Sequence, residues 1–174
     1  MKIRSSIHLG DHSFSLHLSP ILEETDEHLH LKLAAGVFFH QWQPVVISSP
    51  QQHSALAGQD FAPDLLAVDL TQQITLWIEC AKTTLHKLDK VTKRFREARI
   101  VMLMARPNEA KQMAESLKSQ GNDRIEVWSF PYGDFDRWKG LVQEHNDIIG
   151  EATGTSMNLV INNEMFMTEL TRIQ

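Results

Sequence analysis

An α/β fold, with a mixed sheet flanked by helices and extra hairpins at both ends, is predicted by three features of this 174-residue sequence. Short runs alternating between polar and apolar residues interleave with segments of helical period. The middle elements, from residue 25 to 105, come in the order helix, strand, strand, strand, helix, strand. The apolar run RIVMLMA, 99–105, reads as a central strand covered on both faces. Hydrophobic residues at 42% and charged residues at 22% are ordinary for a globular chain, so one domain over 1–174 is expected.

The elements follow in order. Residues 3–9 and 12–19 alternate around Gly10-Asp11, a hairpin that Pro20 stops. Thr25 is an N-cap before acids of a first turn, and Leu29, Leu33, Ala34 and Val37 recur at helical spacing, so a helix covers 25–40 with Gly36 as its weak point. PVVIS, 44–48, is a short β-branched strand. The polar stretch 49–62 is a loop of unusual length. Apolar runs 64–70 and 74–80 around TQQ make a second hairpin. Leu85, Leu88, Val91 (or Thr92) and Phe95 mark an amphipathic helix over 85–97. Asn108 caps a helix that Gly121 ends, RIEVWSF is a strand, and 133–149 reads as a further helix. Two alternating runs around Asn162-Asn163 close the chain as a third hairpin.

Composition excludes some classes. A single cysteine, Cys80, leaves no intramolecular disulfide to form, and the N-terminus lacks the apolar core of a signal peptide. No apolar run is long enough to span a membrane, so a cytoplasmic protein without a membrane partner is expected. The net charge of -5 argues against a nucleic-acid partner until its distribution is considered. Residues 82–99 carry seven Lys/Arg against Asp89 and Glu97, a local +5 that leaves -10 elsewhere. Lys87, Lys90, Lys93 and Arg94 on such a helix suit nucleic-acid phosphates; intrahelical ion pairs on a solvated face explain the same residues. A protein partner on this helix is a third option.

The stretch PDLLAVDLTQQITLWIECAK, 63–82, concentrates the chemistry. A hairpin centred on residues 71 and 72 sets Asp64 opposite Glu79 at one edge of the sheet. Opposed carboxylates repel unless a cation intervenes, and paired carboxylate oxygens suit Mg²⁺. A nearby lysine, Lys82, can stabilise phosphate charge or orient water. Acids also commonly terminate strands.

The element order, with Pro63-Asp64 on one strand and Glu79 on the next, resembles the PD-(D/E)xK, restriction-endonuclease-like core. The chain as a whole resembles the YaeQ family, through ETDEHLHLKLA (24–34), LWIECAK (76–82) and the hairpin MNLVINNEMFMTEL (157–170). This resemblance implies a divalent-metal-dependent nuclease site. Glu27, or alternatively Glu24, joins Asp64 and Glu79 in holding Mg²⁺ or Mn²⁺, with Asp69 a weaker choice for the first strand acid. Asp64, Glu79 and Lys82 carry the catalysis, and the basic helix holds the phosphate backbone. The lysine departs from the pattern, because Glu79 and Lys82 are separated by two residues instead of one. In a regular strand Lys82 points away from Glu79. A bulge near Cys80, an early strand end, or a lysine from the next helix (Lys87 or Lys90) restores the site; otherwise it is degenerate and the protein is a non-catalytic nucleic-acid- or protein-binding module.

The remaining constellations are structural by expectation. His28 and His30, two apart on a helix, point to different sides, and His8, His12 and His17 belong to the first hairpin. His40 near a helix end favours its dipole. Cys80 is a small buried hydrophobe, and Trp77, Trp128 and Trp138 are core residues, whereas Trp42 is exposed. No Gly-x-Ser-x-Gly elbow or phosphate-cradling Gly-rich loop is present.

Overall fold

Helix α1 (Asp26–Phe38) is buried continuously from Leu29 to Phe38, as befits a helix apolar on nearly every side. The computed structural model describes residues 1–174. Thr25 caps α1 by accepting from the amide of His28, and Asp26 and Glu27 fill the acidic first turn. A Cβ at Gly36 would press on the Leu16 side-chain tip, so the bare backbone leaves room for Leu16 against the helix.

Leu16 belongs to a five-stranded sheet on one side of α1. Strands β1 (Ile3–Leu9) and β2 (His12–Leu18) form the expected N-terminal hairpin. On the other side lies a six-stranded sheet. It contains β3 (Val45–Val46), β4 (Leu65–Val68), β5 (Ile74–Cys80), β6 (Arg99–Met104), β7 (Ile125–Ser129) and the two-residue β11 (Thr171–Arg172), in the order β11-β7-β6-β5-β4-β3. Leu65, Ile78, Cys80, Val101 and Leu103 face α1 in the larger of two apolar cores. Leu66, Trp77, Ile100, Met102 and Val127 face the other way, against α2 (Leu85–Arg94) and α3 (Pro107–Ser119), in the second core. Alternation along β5 therefore sends neighbouring residues into different cores.

Several expectations needed revision. The segment 133–149 is not one helix: α4 (Asp134–Leu141) stops where Val142 turns extended, and β8 (His145–Thr153) begins. Asn146 marks the junction, its side chain accepting from the amide of Gln143 and donating to Gln143 O. From there burial alternates, with Asn146, Ile148 and Ala152 inside, which is a strand's period. Strand β8 lies parallel to β1 and antiparallel to β9 (Ser156–Ile161), which pairs with β10 (Glu164–Glu169). The two terminal hairpins are thus one mixed sheet, β10-β9-β8-β1-β2, so the fold has two mixed sheets flanked by helices instead of one. Helix α3 is started by Arg106 with Pro107 at its first position, not capped by Asn108. Helix α2 ends at Arg94, where the Arg124 guanidinium donates to the carbonyls of Thr92, Phe95, Arg96 and Ala98. The strand expected at 44–48 shrinks to two residues at the sheet edge, and the 49–62 loop carries two 3-10 turns. No helix is long and apolar enough to cross a membrane.

Candidate functional site

The β4–β5 hairpin has the register that the sequence implied. Leu65 pairs with Ile78 and Leu66 with Trp77, and the amide of Asp64 donates to Ile78 O, which sets Asp64 opposite Glu79. The ladder slips only at a bulge near Ala67/Val68, away from the site. Because β4 begins only at Leu65, the Cys80 amide has no β4 residue opposite; Asp64 Oδ2 accepts from it at 2.7 Å and extends the ladder by a side chain. The carboxylates then part. Asp64 lies against α1, whereas Glu79 shares the α2 face with Trp77.

On the α1 side, Asp64 Oδ1 lies 2.9 Å from His28 Nε2 and 3.3 Å from Lys32 Nζ. Glu24 completes the group: its Oε1 is 3.0 Å from His28 Nδ1 and 2.6 Å from Lys32 Nζ. Lys32 and Glu24 are almost inaccessible, at 4% and 1% side-chain exposure. Burial raises the Asp64 carboxyl, but His28, Lys32 and the Cys80 amide outweigh it and hold the group below its ordinary value. Burial likewise works against the Lys32 ammonium, yet Asp64 and Glu24 leave it raised.

On the α2 side, Glu79 Oε1 accepts from Trp77 Nε1 at 2.7 Å, and Lys87 Nζ reaches both carboxylate oxygens at 2.7 and 2.8 Å. Lys87 also donates to Ala62 O at 2.7 Å. Burial is the dominant influence and pushes the Glu79 carboxyl up to about 7; Lys87 opposes the rise and the charge of Asp64 adds to it. Such a carboxyl exchanges protons near neutrality.

Glu27 and Lys82 border the same cleft of about 410 Å³ as Glu24 and His28, but neither pairs with Asp64 or Glu79. Ala81 adopts a left-handed conformation, φ 62°, and ends β5 at Cys80, where the apolar run was expected to stop. Lys82 is thereby turned outward, 68% exposed and 4.0 Å from Glu109. β5 ends before Lys82, yet this leaves Lys82 outward; the lysine that reaches Glu79 is Lys87, from the next helix. Glu27 pairs with Arg106 at 3.0 Å, and Glu24 is the acid that faces Asp64. Asp69 caps its own turn, accepting from Thr71 and Gln73. Along α2, Lys90 lies over the Phe61 ring, Lys93 pairs with Asp89 at 2.8 Å, and the Gln59 amide faces Arg94. These side chains border a cleft of about 420 Å³ between the loop at 58–61 and α2.

Sequence reading assigned His28 a structural place and did not consider Lys32. The signal was present: Glu24, His28 and Lys32 recur every four residues, the spacing of one helix face. Cys80 is buried and its thiol is pushed well above the ordinary value, first by burial and then by Asp64, so it is no nucleophile. His40 is lowered by burial, which disfavours the cation that a helix dipole would stabilise.

Residues 10–170 match the family described as YaeQ protein. The chain belongs to the YaeQ family. The YaeQ protein from Xanthomonas axonopodis pv. citri superposes with a TM-score of 0.70 at 18% identity, covering 99% of this chain and 96% of that one. The YaeQ protein from Pseudomonas syringae gives 0.70 at 13% identity, covering 99% and 94%. At these identities the likeness shows the shared YaeQ fold. No curated protein matches the chain.

The YaeQ carboxylates suit a hard divalent cation in kind but not in arrangement. No three His, Cys, Asp or Glu side chains are set as a metal centre. Lys32 lies between Glu24 and Asp64, and Lys87 grips Glu79, so three carboxylates already face two ammonium groups and an imidazole. A divalent ion added to this buried group would leave excess positive charge out of water.

Proposed function

We propose that the protein binds the phosphate backbone of nucleic acid along α2, on a restriction-endonuclease-like scaffold whose carboxylate group is neutralised from within. The observation that carries this reading is the cleft beside α2. Lys90, Lys93 and Arg94 line it together with Phe61, Gln59 and Asp60, and Lys90 lies over the Phe61 ring. Cations follow the backbone while an aromatic face accepts a base, a combination suited to single strands. The core order of helix, three strands, helix and strand supports the scaffold assignment. The single cysteine, free and buried, supports a reducing, cytoplasmic setting.

The test is fluorescence anisotropy with labelled single- and double-stranded DNA and RNA over a range of salt. Three phosphate contacts give a slope of log K against log salt of roughly -2 for single strands and -3 for duplexes. Replacing Lys90, Lys93 and Arg94 together by Ala removes that binding. Salt-insensitive binding, or none, overturns the reading.

A second reading, divalent-metal-dependent phosphodiester hydrolysis, is favoured by one observation. Lys87 stands against Glu79 opposite Asp64, where the resemblance calls for a lysine. Asp64, Glu79 and an acid from the α1 region (Glu24, or Glu27) would hold Mg²⁺ or Mn²⁺, after one of the ammonium groups had yielded its place. Cleavage that appears with Mn²⁺ and is lost in both Glu79→Gln and Lys87→Ala supports it; unchanged nucleic acid in Mg²⁺ and Mn²⁺ eliminates it.

A further inference from the structure

Two sheet edges border the same hollow. Strand β2 is the last strand of the five-stranded sheet and β3 the last of the six-stranded one. A cavity of about 650 Å³ is lined by β2 from His12 to His17 and, across from it, by His40 and the stretch Gln43–Val46. Half of the β2 backbone is unused. On β1 the even residues turn to β8, as the amide of Arg4 donating to Glu144 O requires, so the odd ones turn to β2. Their partners His12, Phe14, Leu16 and Leu18 are thereby engaged. The N–H and C=O groups of Ser13, Ser15 and His17 point the other way, along the free edge, and no strand or loop pairs with them. They repeat every two residues, about 6.8 Å, which is the spacing an extended chain presents. The strand HSFSLHL carries no lysine, proline or bulge to block that edge, and Ser13, Ser15 and His17 are exposed. Side chains add recognition. The Phe14 and His40 rings are parallel within 7° at 6.4 Å between centres, and His12 meets His40 edge-on at 5.3 Å. His40 Nδ1 donates to Val37 O at 2.9 Å, so the neutral ring keeps Nε2 as an acceptor without a partner. No lysine or arginine lines the cavity, and Asp11 is its one acid.

We propose that the free edge of β2 takes up one extended, uncharged peptide segment of a protein partner as an added strand, with a tyrosine or tryptophan of that segment seated at Phe14 and His40. The main chain of Ser13, Ser15 and His17 holds the peptide backbone, and the aromatic pair selects the side chain. That side chain packs against Phe14 and donates its O–H or N–H to His40 Nε2. A single strand fits this place better than a second copy of the chain, because β3 bounds the hollow opposite β2, where a whole added sheet would have to continue. The inference uses no residue of α2 or of the β4–β5 hairpin, and stands whether or not the α2 cleft binds nucleic acid.

The probe is the neutral peptide acetyl-Thr-Val-Thr-Tyr-Thr-Val-Thr-amide, titrated into isotope-labelled protein and followed by nuclear magnetic resonance. Binding is expected to saturate below roughly 1 mM and to protect the amides of Ser13, Ser15 and His17 from hydrogen exchange. Ser15→Pro removes one edge donor and leaves every β1–β2 bond in place. It is expected to keep the fold and to bind the peptide at least roughly tenfold more weakly. Ser13→Pro serves the same purpose at a neighbouring edge position if Ser15→Pro does not fold. Exchanging the peptide's tyrosine for phenylalanine is expected to weaken binding several-fold to the wild type and not to His40→Phe, which keeps a ring and loses the acceptor. No binding up to 1 mM, or undiminished binding by the proline variants, overturns the proposal. So does a dimer in sedimentation that buries these three amides, since a second copy would then hold the edge. Equal affinity for the tyrosine and phenylalanine peptides overturns the part assigned to His40.

Discussion

Asp64 and Glu79 oppose each other on one hairpin and are both withdrawn from water, at 13% and 4% side-chain exposure, yet their carboxyls move in opposite directions. Burial works on both to favour the neutral acid. Asp64 faces α1, where His28, Lys32 and a backbone amide reverse that effect. Glu79 faces α2, where Lys87 does not fully reverse it and the charge of Asp64 reinforces it. What separates them is which helix lies over each face of the sheet, and how many cationic groups that helix directs inward. The α1 side is a closed charge group; the α2 side holds a carboxyl able to gain or lose a proton near neutral pH.

The largest expected effect breaks the α1 side. Lys32→Met leaves two buried carboxylates short of a counter-charge and should cost about 3–5 kcal/mol in urea unfolding without divalent ions. A smaller loss would mean that water or His28 already screens the pair.

The next sharpens the α2 side through pH. With a folded value of about 7 against an ordinary 4.5, Glu79 keeps a proton that the unfolded chain has released between those values. Stability therefore falls as pH rises across that window, by about 3 kcal/mol for this group. Asp64 behaves oppositely: its lowered value contributes stability above its ordinary 3.8, lost as pH falls through the folded value. Stability measured from pH 5 to 8 should fall in the wild type and flatten in Glu79→Gln; an unchanged slope would place the titration elsewhere.

A smaller change loosens the start of the helix that carries Glu24's partners. Thr25→Ala removes the side-chain oxygen that accepts from the His28 amide and should cost about 1 kcal/mol in chemical denaturation. The smallest concerns Lys82. Its exposed ammonium meets only Glu109, at 4.0 Å, so Lys82→Ala should shift stability by no more than about 0.5 kcal/mol and leave the Glu79 pH slope intact. A changed slope would return Lys82 to the site.

Much of this was legible in the chain. Alternation and turn residues located both terminal hairpins, and the spacing of two apolar runs around TQQ placed Asp64 opposite Glu79. The helix over 133–149 was misread because Phe135 and Trp138 keep a helical spacing until Val142, and the alternation from Asn146 belongs to a strand whose two neighbours are distant in sequence. The direction of Lys82 has a local cause: an alanine in the left-handed region is not signalled by its residue type, and it decides where the next side chain points.

Sequence by itself determined what most elements are, because helical and strand periods, caps and turns are written within a few residues of one another. It also placed the opposed acids, since a hairpin's register depends on its own short loop. Only the tertiary structure decided which cations meet those acids. Lys32 comes from a helix that precedes the hairpin and Lys87 from one that follows it, and both reach it only because the sheet packs a helix against each face. Those contacts set the protonation of Asp64 and Glu79, because in a buried site the nearest opposite charge and the loss of water outweigh anything the residue type prescribes.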